Sequence, residues 1–327
     1  MTALSDHKSE AQTSWAKRFV FWIVLLMLLS APFVVTEFYL RSIGLGNPTL
    51  YYGNTSFRYA PRPNQKHLGQ RGASITIDSK GLRGVKEWTA PADGKILFIG
   101  ASATWGGTFV GDKDLYSNVV CEDLERKLNR SFTCGNGGVN SYGVDNMAER
   151  IRYKNVSDES VIVVTVVPYN SVRGLADLDS LPYLTVTPPG PFKALWEAAT
   201  LGSWNLLHIL RYIKYQDAEN NLRVAERSLN NLFEALHETD RPDRKVLIVL
   251  MPIKGELGSH ETDFTKGVRA MLERSGLDLL DLHQPMSANP HRDELFYANE
   301  SHLEVAGHQF VGDLISKRLE DFFAARH

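Results

Sequence analysis

Cysteine is nearly absent from this chain, whose 327 residues include only Cys121 and Cys134. Two cysteines do not make a structural zinc site, and no H-x-x-x-H-like spacing of histidines and carboxylates accompanies them, so we expect no metal. At helical and strand rise the two residues lie at matching levels, roughly 12 and 13 Å from the turn between a predicted helix and strand. They fit a disulfide in an oxidising compartment, or two buried free thiols.

An excess of charge of one sign is also missing. The chain has 36 Lys and Arg against 38 Asp and Glu, a formal net charge of −2, and no run of basic residues. This balance argues against a nucleic-acid partner. The glycine-rich stretch 100–107 lacks the lysine of a P-loop and the spacing of a dinucleotide fingerprint, so we expect no cofactor. With 43% hydrophobic residues and no internal repeat, the composition predicts one sizeable core with appendages.

Long uncharged runs are absent except for one near the N-terminus. Residues 1–18 are polar and end in Lys17-Arg18, and Phe19–Thr36 then carries no charge. At helical rise this run spans roughly 27 Å, close to the thickness of a bilayer core. The basic pair predicts a cytosolic tail (1–18), a transmembrane anchor (19–36) and a catalytic domain outside the cytoplasm, in the periplasm if the source is bacterial.

The same residues disfavour two alternatives to an anchor. A cleaved signal peptide is disfavoured because the run is long for such a segment and Pro32 follows Ala31, where cleavage would have to occur. A buried core helix is disfavoured because no charge interrupts the run. We therefore predict a single-pass membrane protein.

Residues 37–94 are mixed and rich in Tyr, Gly and Pro. The alternation over 74–78 predicts a strand, and 79–81 reads as its turn. We predict a stalk and a small subdomain that leans on the domain that follows. No motif in this segment indicates a catalytic or binding function.

Residues 95–327 alternate between strand and helix patterns, which predicts an α/β domain with a parallel sheet covered on both faces. The predicted strands are Lys95–Ile99, Phe132–Asn136, Val161–Val167, Lys245–Met251 and Leu277–Leu282. The predicted helices are Asp114–Leu128, Asp145–Tyr153, Ala218–His237, Phe264–Arg274 and Val305–Phe323. A long excursion, 175–217, carries two tryptophans and several tyrosines, and we interpret it as a lid or pocket wall, or else as an extra packing layer.

Reactive side chains follow several of the predicted strands. Ser102 comes after the first strand, a glycine-rich turn containing Ser141 after the second, Asn170 after the third, and His302 shortly before the last helix. Because ligands bind outside the carboxyl ends of parallel strands, we expect these groups to meet at one edge of the sheet. A hydroxyl, amide donors and an imidazole are the set that acyl transfer requires.

The four blocks resemble the SGNH (GDSL-type) esterase superfamily. They are Gly-x-Ser-x-Thr-x-Gly at 100–106, Asn-x-Gly-Val-x-x-Tyr at 136–142, the strand-end Asn170, and His-Leu-x-x-x-Gly-His at 302–308. The resemblance covers residues 95–327 and implies a flavodoxin-like three-layer sandwich with a five-stranded parallel sheet. It implies that Ser102 is the nucleophile and His302 the general base. It also implies an oxyanion hole built from the backbone N–H groups of Ser102 and Ser141 and the side-chain amide of Asn170.

Four positions depart from the family pattern. Ala101 stands where the name-giving motif has aspartate, Ser141 where the family has an oxyanion glycine, and Pro168 two residues before Asn170 where it has another glycine. The serious departure is Asn299, three residues before His302, where the family has the aspartate that orients the histidine. An asparagine carbonyl accepts the imidazole N–H but does not offset the charge of the imidazolium. Another acceptor such as Asp293 or Glu300 takes over, the pair works as a Ser–His dyad, or the site is degenerate.

The resulting expectation is a serine-dependent ester hydrolase or acyltransferase, with Ser102, His302 and Asn299 as the catalytic set. By resemblance and location, its substrate is an O-acyl, above all O-acetyl, group of an envelope or exported carbohydrate, or another ester. The alternative is a catalytically degenerate envelope protein that keeps the fold and binds glycan or partner proteins.

Overall fold

A computed structural model of the chain describes residues 3–153, 158–181, 183–212, 218–258, 260–297 and 302–325. The chain begins with a long helix, α1 (Ala3–Ser42). Two antiparallel hairpins follow, the first formed by β1 (Tyr51–Asn54) and β2 (Arg58–Pro61) and the second by β3 (Gln65–Leu68) and β4 (Ser74–Ile77). The predicted strand at 74–78 is therefore present as β4, and the second hairpin continues through single bridges at Arg83 to the edge of the main sheet.

The rest of the chain alternates strands and helices. In order these elements are β5 (Gly94–Ile99), α2 (Ser102–Trp105), α3 (Tyr116–Leu128), β6 (Phe132–Asn136), α4 (Val144–Tyr153), β7 (Val161–Val166), α5 (Lys193–Tyr212), α6 (Ala218–Glu238), β8 (Lys245–Leu250), α7 (Asp263–Arg274), β9 (Asp278–Asp281), α8 (His283–Ala288) and α9 (Val305–Ala324).

The central sheet has five parallel strands in the order β6-β5-β7-β8-β9. Counted from the first strand of the domain this is the order 2-1-3-4-5, which is that of flavodoxin-like folds. The fold is therefore the predicted α/β three-layer sandwich. The reversal of strand order falls between β5 and β7, and a ligand is expected outside the carboxyl ends of those two strands.

The strands are apolar on both faces because helices cover both. One residue set, represented by Leu97, Ile99 and Ile162, packs against α4, α6 and α7. The alternate set, represented by Ile96 and Phe98, packs against α3 and α9. Such doubly covered strands have continuous rather than alternating hydrophobic sequences, and this is why they stand out in the sequence.

Strand ends differ from the predicted bounds by one residue for identifiable reasons. Val167 was predicted to continue β7, but its N–H donates to the side-chain oxygen of Asn170 at 3.3 Å and so leaves the ladder. The predicted helix at 114–128 begins at Tyr116, because residues Asp112–Asp114 form a 3₁₀ turn instead.

Helix α1 carries one segment that is long and apolar enough to cross a membrane. This segment, Lys17–Ser42, has 26 residues and a mean hydropathy of 2.5; its apolar run is exposed, whereas Glu37 near its end is buried. Because the apolar run is exposed, α1 is not a buried core helix. Helical structure also extends back through the polar tail to Ala3.

Cys121 on α3 and Cys134 on β6 form a disulfide, with their Cα atoms 6.0 Å apart. The sequence fitted either a disulfide or two buried free thiols, and the structure has the disulfide. The bond joins the edge strand β6 to helix α3, which packs on it, so it restrains these two elements relative to each other.

We expect the double variant Cys121→Ala/Cys134→Ala to lose about 3 kcal/mol of unfolding free energy, because a cross-link that closes a loop of this length lowers the entropy of the unfolded chain. Urea titrations of the full chain in detergent measure this loss, and reduced wild-type protein is the matched control. Two alkylatable thiols in the non-reduced protein would contradict the expectation.

Candidate active site

A cavity of about 550 Å³ lies at the carboxyl edge of the sheet. This volume is in the range of small-molecule sites, roughly 300–1,000 Å³. Its wall is assembled from distant parts of the sequence: the segment after α1 (Gly44–Thr49), the second hairpin, the segment after β5, the turn after β6, the excursion after β7, and the segment before α9. Both Ser102 and His302 line it.

Ser102 owes its position to a sharp junction between β5 and the short helix α2. A Cβ atom at Gly100 would lie 1.9 Å from the Oγ1 of Thr104, so only glycine fits at this junction. Ser102 then starts α2, and its carbonyl accepts the N–H of Gly106, where φ is +86° and the helix ends. The Ser102 hydroxyl is half-buried and makes no hydrogen bond to any residue that the structure describes.

Ser141 has the backbone conformation that its glycine-like position requires, with φ at +64°. Its hydroxyl is hydrogen-bonded to the hydroxyl of Tyr183 at 2.8 Å, and the Tyr59 hydroxyl donates to the preceding carbonyl, that of Asn140, at 2.7 Å. Burial raises the pKa of Tyr183 to about 12, so this hydroxyl keeps its proton at neutral pH. The two tyrosines hold the turn in place.

The backbone N–H groups of Ser102 and Ser141 have no acceptor within the described ranges. Ser102 is in the first turn of a helix, where N–H groups lack intrahelical partners. Both residues line the cavity, so two backbone donors are available there for an oxyanion.

Asn170 follows β7, the strand next to β5, in a 3₁₀ turn over Pro168–Val172. Its side chain is fully buried and is not part of the cavity wall. The side-chain oxygen accepts the N–H of Val167, whereas the side-chain nitrogen has no hydrogen-bond partner among the described residues. A buried amide nitrogen without an acceptor is uncommon and calls for an explanation.

His302 lies in the bend that leads into α9. Its carbonyl accepts the N–H of Tyr297 at 2.8 Å, and a bridge between Phe296 and Leu303 closes the same loop. These contacts bring its imidazole to the cavity that Ser102 lines. Asn299 and Glu300 lie outside the described residues. Asp293, the other candidate orienting group, is solvent-exposed in the turn Arg292–Leu295.

His308, the second histidine of the late motif, is fully buried. Its Nδ1 accepts the backbone N–H of Tyr116 at 3.2 Å, and the two rings stack. Burial lowers the pKa of His308 to about 3, so it is neutral under ordinary conditions. It joins α9 to α3 and is a structural residue.

Two further titratable groups on the cavity wall have pKa values shifted towards the neutral form, whereas Arg173 on the same wall carries a positive charge. Burial lowers the pKa of His67, whose Nε2 is 3.1 Å from the hydroxyl of Thr49. Burial also raises the pKa of Glu197, which accepts the N–H of Gly46 at 2.7 Å. Among the described residues no group of three or more His, Cys, Asp or Glu could hold a metal ion.

Arg83 is the important residue near the site that the sequence patterns do not reveal. Its fully buried guanidinium pairs with Asp112 at 2.9 Å and donates to the carbonyls of Trp105, Gly107 and Val110. Burial lowers the pKa of Arg83 and raises that of Asp112, and their mutual attraction opposes both shifts. The loop after α2 is thereby fixed to the segment that continues the second hairpin. A lone arginine in a segment without a motif gives no sequence signal for this role.

No family model matches the sequence, and comparison with curated proteins finds no match. Solved structures with a similar fold include a lipase/acylhydrolase from Enterococcus faecalis, at 17% identity and a TM-score of 0.45, covering 70% of this chain and 96% of that one. The lipase Lip_vut3 from a goat rumen metagenome is 11% identical with a TM-score of 0.47, over 68% and 96% of the two chains. The acetyl xylan esterase AlAXEase is 17% identical with a TM-score of 0.41, over 69% and 99%. At these identities the likeness concerns the arrangement of elements, and the chemistry has to be argued from the residues.

We expect Arg83→Met to cost about 3–5 kcal/mol of unfolding free energy, since it leaves the buried Asp112 carboxylate without its partner. Denaturant unfolding of the full chain in detergent measures the loss. In the double variant Arg83→Met/Asp112→Leu no unpaired charge remains, so part of the stability returns, although the carbonyls of Trp105, Gly107 and Val110 still lack their donor. A single variant as stable as wild type would contradict this account.

Proposed function

We propose that this chain is a membrane-anchored serine hydrolase or acyltransferase that acts on esters outside the cytoplasm. The observation that carries the proposal is that Ser102 and His302, remote in sequence, line the same cavity, together with the open backbone donors of Ser102 and Ser141. A nucleophile, a base and oxyanion donors around one cavity are what acyl transfer requires.

In the proposed reaction the Ser102 hydroxyl attacks the ester carbonyl carbon, and His302 accepts the hydroxyl proton. The carbonyl oxygen takes the negative charge and is held by the N–H groups of Ser102 and Ser141 and the amide of Asn170. His302 then gives the proton to the leaving alkoxide, and an acyl-serine remains. Water or another hydroxyl attacks the acyl-serine in the second half, so hydrolysis and transfer share the first half.

Asn299 is proposed as the group that accepts an imidazole N–H and sets the tautomer of His302. It supplies no negative charge to the imidazolium that forms. The stabilisation of the transition state therefore depends more strongly on the oxyanion donors than it would in a site with an orienting aspartate.

The anchor is proposed to be the segment 19–36 of α1, with residues 1–18 in the cytosol and the sheet domain outside. The side chains of this segment are exposed, and Pro32 lies within a continuous helix where a signal-peptide site would be needed. The disulfide between Cys121 and Cys134 supports an oxidising compartment for the domain.

The proposed substrate is an O-acyl ester, with the O-acetyl groups of envelope or exported carbohydrate as the leading class. Burial of His67 and Glu197, which disfavours their charged forms, supports a neutral acyl group beside them. The competing function is a degenerate binding protein of the same fold, and the observation in its favour is Asn299 at the position of the family's aspartate.

We expect a fluorophosphonate probe to label the wild-type protein and to leave Ser102→Ala unlabelled, because the probe reacts with an activated serine. In-gel fluorescence and peptide mass spectrometry measure the adduct. Ser79→Ala, which changes an exposed serine bonded to Glu87, is the control and keeps full labelling. A wild-type protein that takes no label would favour the binding function.

We expect Asn170→Ala to lower kcat about 10²- to 10³-fold with little change in KM, as removal of an oxyanion donor does. Asn170→Asp is the matched variant: it keeps the oxygen that accepts the Val167 N–H and removes the amide donor. Both variants are expected to be slow in assays with 4-nitrophenyl acetate. Full kcat in Asn170→Asp would show that only the structural contact matters.

A further inference from the structure

Four exposed aromatic side chains cluster where α1 meets the start of α5. Phe38 and Tyr39 are on α1 and are 69% and 63% exposed, and Phe192 and Trp196 at the start of α5 are 40% and 56% exposed. We call these four residues the aromatic collar. Exposed aromatic residues in such a group need an explanation, since none of them packs into the core of the domain.

Glu37 fixes the level of the collar relative to the membrane segment. It is the first charged residue after the uncharged run 19–36, and its buried carboxylate accepts the N–H groups of Ala194 and Leu195 at 3.2 and 2.9 Å. Arg41, one turn further, donates to the carbonyl of Pro191 at 2.8 Å. The start of α5 therefore lies at the end of the apolar run, at the depth where lipid headgroups begin.

The two faces of the first turns of α5 differ. Phe192 and Trp196 are four residues apart and lie on the exposed side, whereas Glu197 and Leu201 line the cavity. The cavity wall also includes Gly44 and Leu45, two and three residues past the end of α1. At no more than ~3.6 Å per residue, this part of the wall lies within about 11 Å of the helix end. The wall of the cavity that Ser102 and His302 line thus reaches the segments that carry the collar.

We propose that the aromatic collar lies in the headgroup layer of the membrane, and that the cavity takes an ester that resides in the bilayer. The substrate is an amphiphile whose apolar part stays in the membrane while its acyl ester reaches Ser102. This inference rests on the proposed function and narrows its substrate class. Tyr and Trp favour the interface because one end of each ring system is polar and the rest apolar.

The position of the collar is tested with a fluorophore on the full chain in phosphatidylcholine liposomes. Trp196→Cys is labelled with a nitrobenzoxadiazole maleimide, which the disulfide-bonded Cys121 and Cys134 do not react with. The control is Val85→Cys, because Val85 is 56% exposed and adjoins Lys86, which binds the carbonyl of Phe132 at the opposite, amino end of the sheet. We expect lipids spin-labelled at the headgroup to quench position 196 several-fold more than position 85. Equal quenching at the two positions would overturn the proposal.

The substrate class is tested with two acetyl esters, water-soluble 4-methylumbelliferyl acetate and dioleoylglycerol acetate placed in the liposome bilayer. We expect the double variant Phe192→Ser/Trp196→Ser to lose about tenfold in rate on the bilayer ester and to keep the soluble rate within about twofold. Val85→Ser is the control and keeps both rates.

The outcomes separate the two proposals. Wild-type cleavage of the soluble ester without cleavage of the bilayer ester overturns this inference and leaves the proposed function standing. Cleavage of neither ester overturns the proposed function and this inference with it. Cleavage of both esters with equal losses in the double variant shows a folding defect at the collar and also contradicts selective presentation from the bilayer.

Discussion

The buried guanidinium of Arg83 is the interaction on which the rest of the site depends. It donates to three carbonyls of the loop 105–110 and pairs with Asp112, while its own backbone bridges β4 to the end of β6. A charged group at full burial is tolerated only when its hydrogen bonds are met, and the rigid fork of the guanidinium meets this condition here with four hydrogen bonds. The loop after Ser102 and the second hairpin are therefore one structural unit, although they come from different sequence segments.

Much of the sheet could be predicted from the sequence, because strands covered on both faces have continuous apolar runs. The predicted strand Phe132–Asn136 coincides with β6, and the strand at 95–99 differs from β5 by one residue. Glycine and hydroxyl patterns at the strand ends were also informative, since Gly100 and the positive φ of Ser141 are local requirements of the backbone. These features depend on neighbours in sequence, and sequence patterns report them well.

The cavity wall could not be predicted, because it depends on contacts between remote segments. Glu197, Tyr183 and Gly44 have no motif around them, and each becomes part of the site only when α5 packs beside the end of α1. The role of Arg83 could not be predicted from the sequence either. A single arginine is usually exposed, and only the fold shows that this one is buried among carbonyls. Asn170 was singled out by its place after a strand, yet the burial of its side chain is a property of the three-dimensional fold.

The charges on the cavity wall have a consequence for how the proposed pair of Ser102 and His302 would work. Burial disfavours the charged forms of His67 and Glu197, and Arg173 on the same wall is positively charged, so the surroundings offer little negative charge to an imidazolium on His302. With asparagine where a carboxylate normally orients the histidine, the cost of forming that imidazolium is greater than in a full triad. The fixed dipoles of the proposed oxyanion donors do not depend on that carboxylate. In serine proteases that lack a triad member, such donors and substrate binding still accelerate the reaction about 10³- to 10⁴-fold over the reaction in water. The proposed mechanism therefore needs rigid donors, and the tyrosines bonded to the turn of Ser141 and the arginine bonded to the loop after Ser102 would hold them in place.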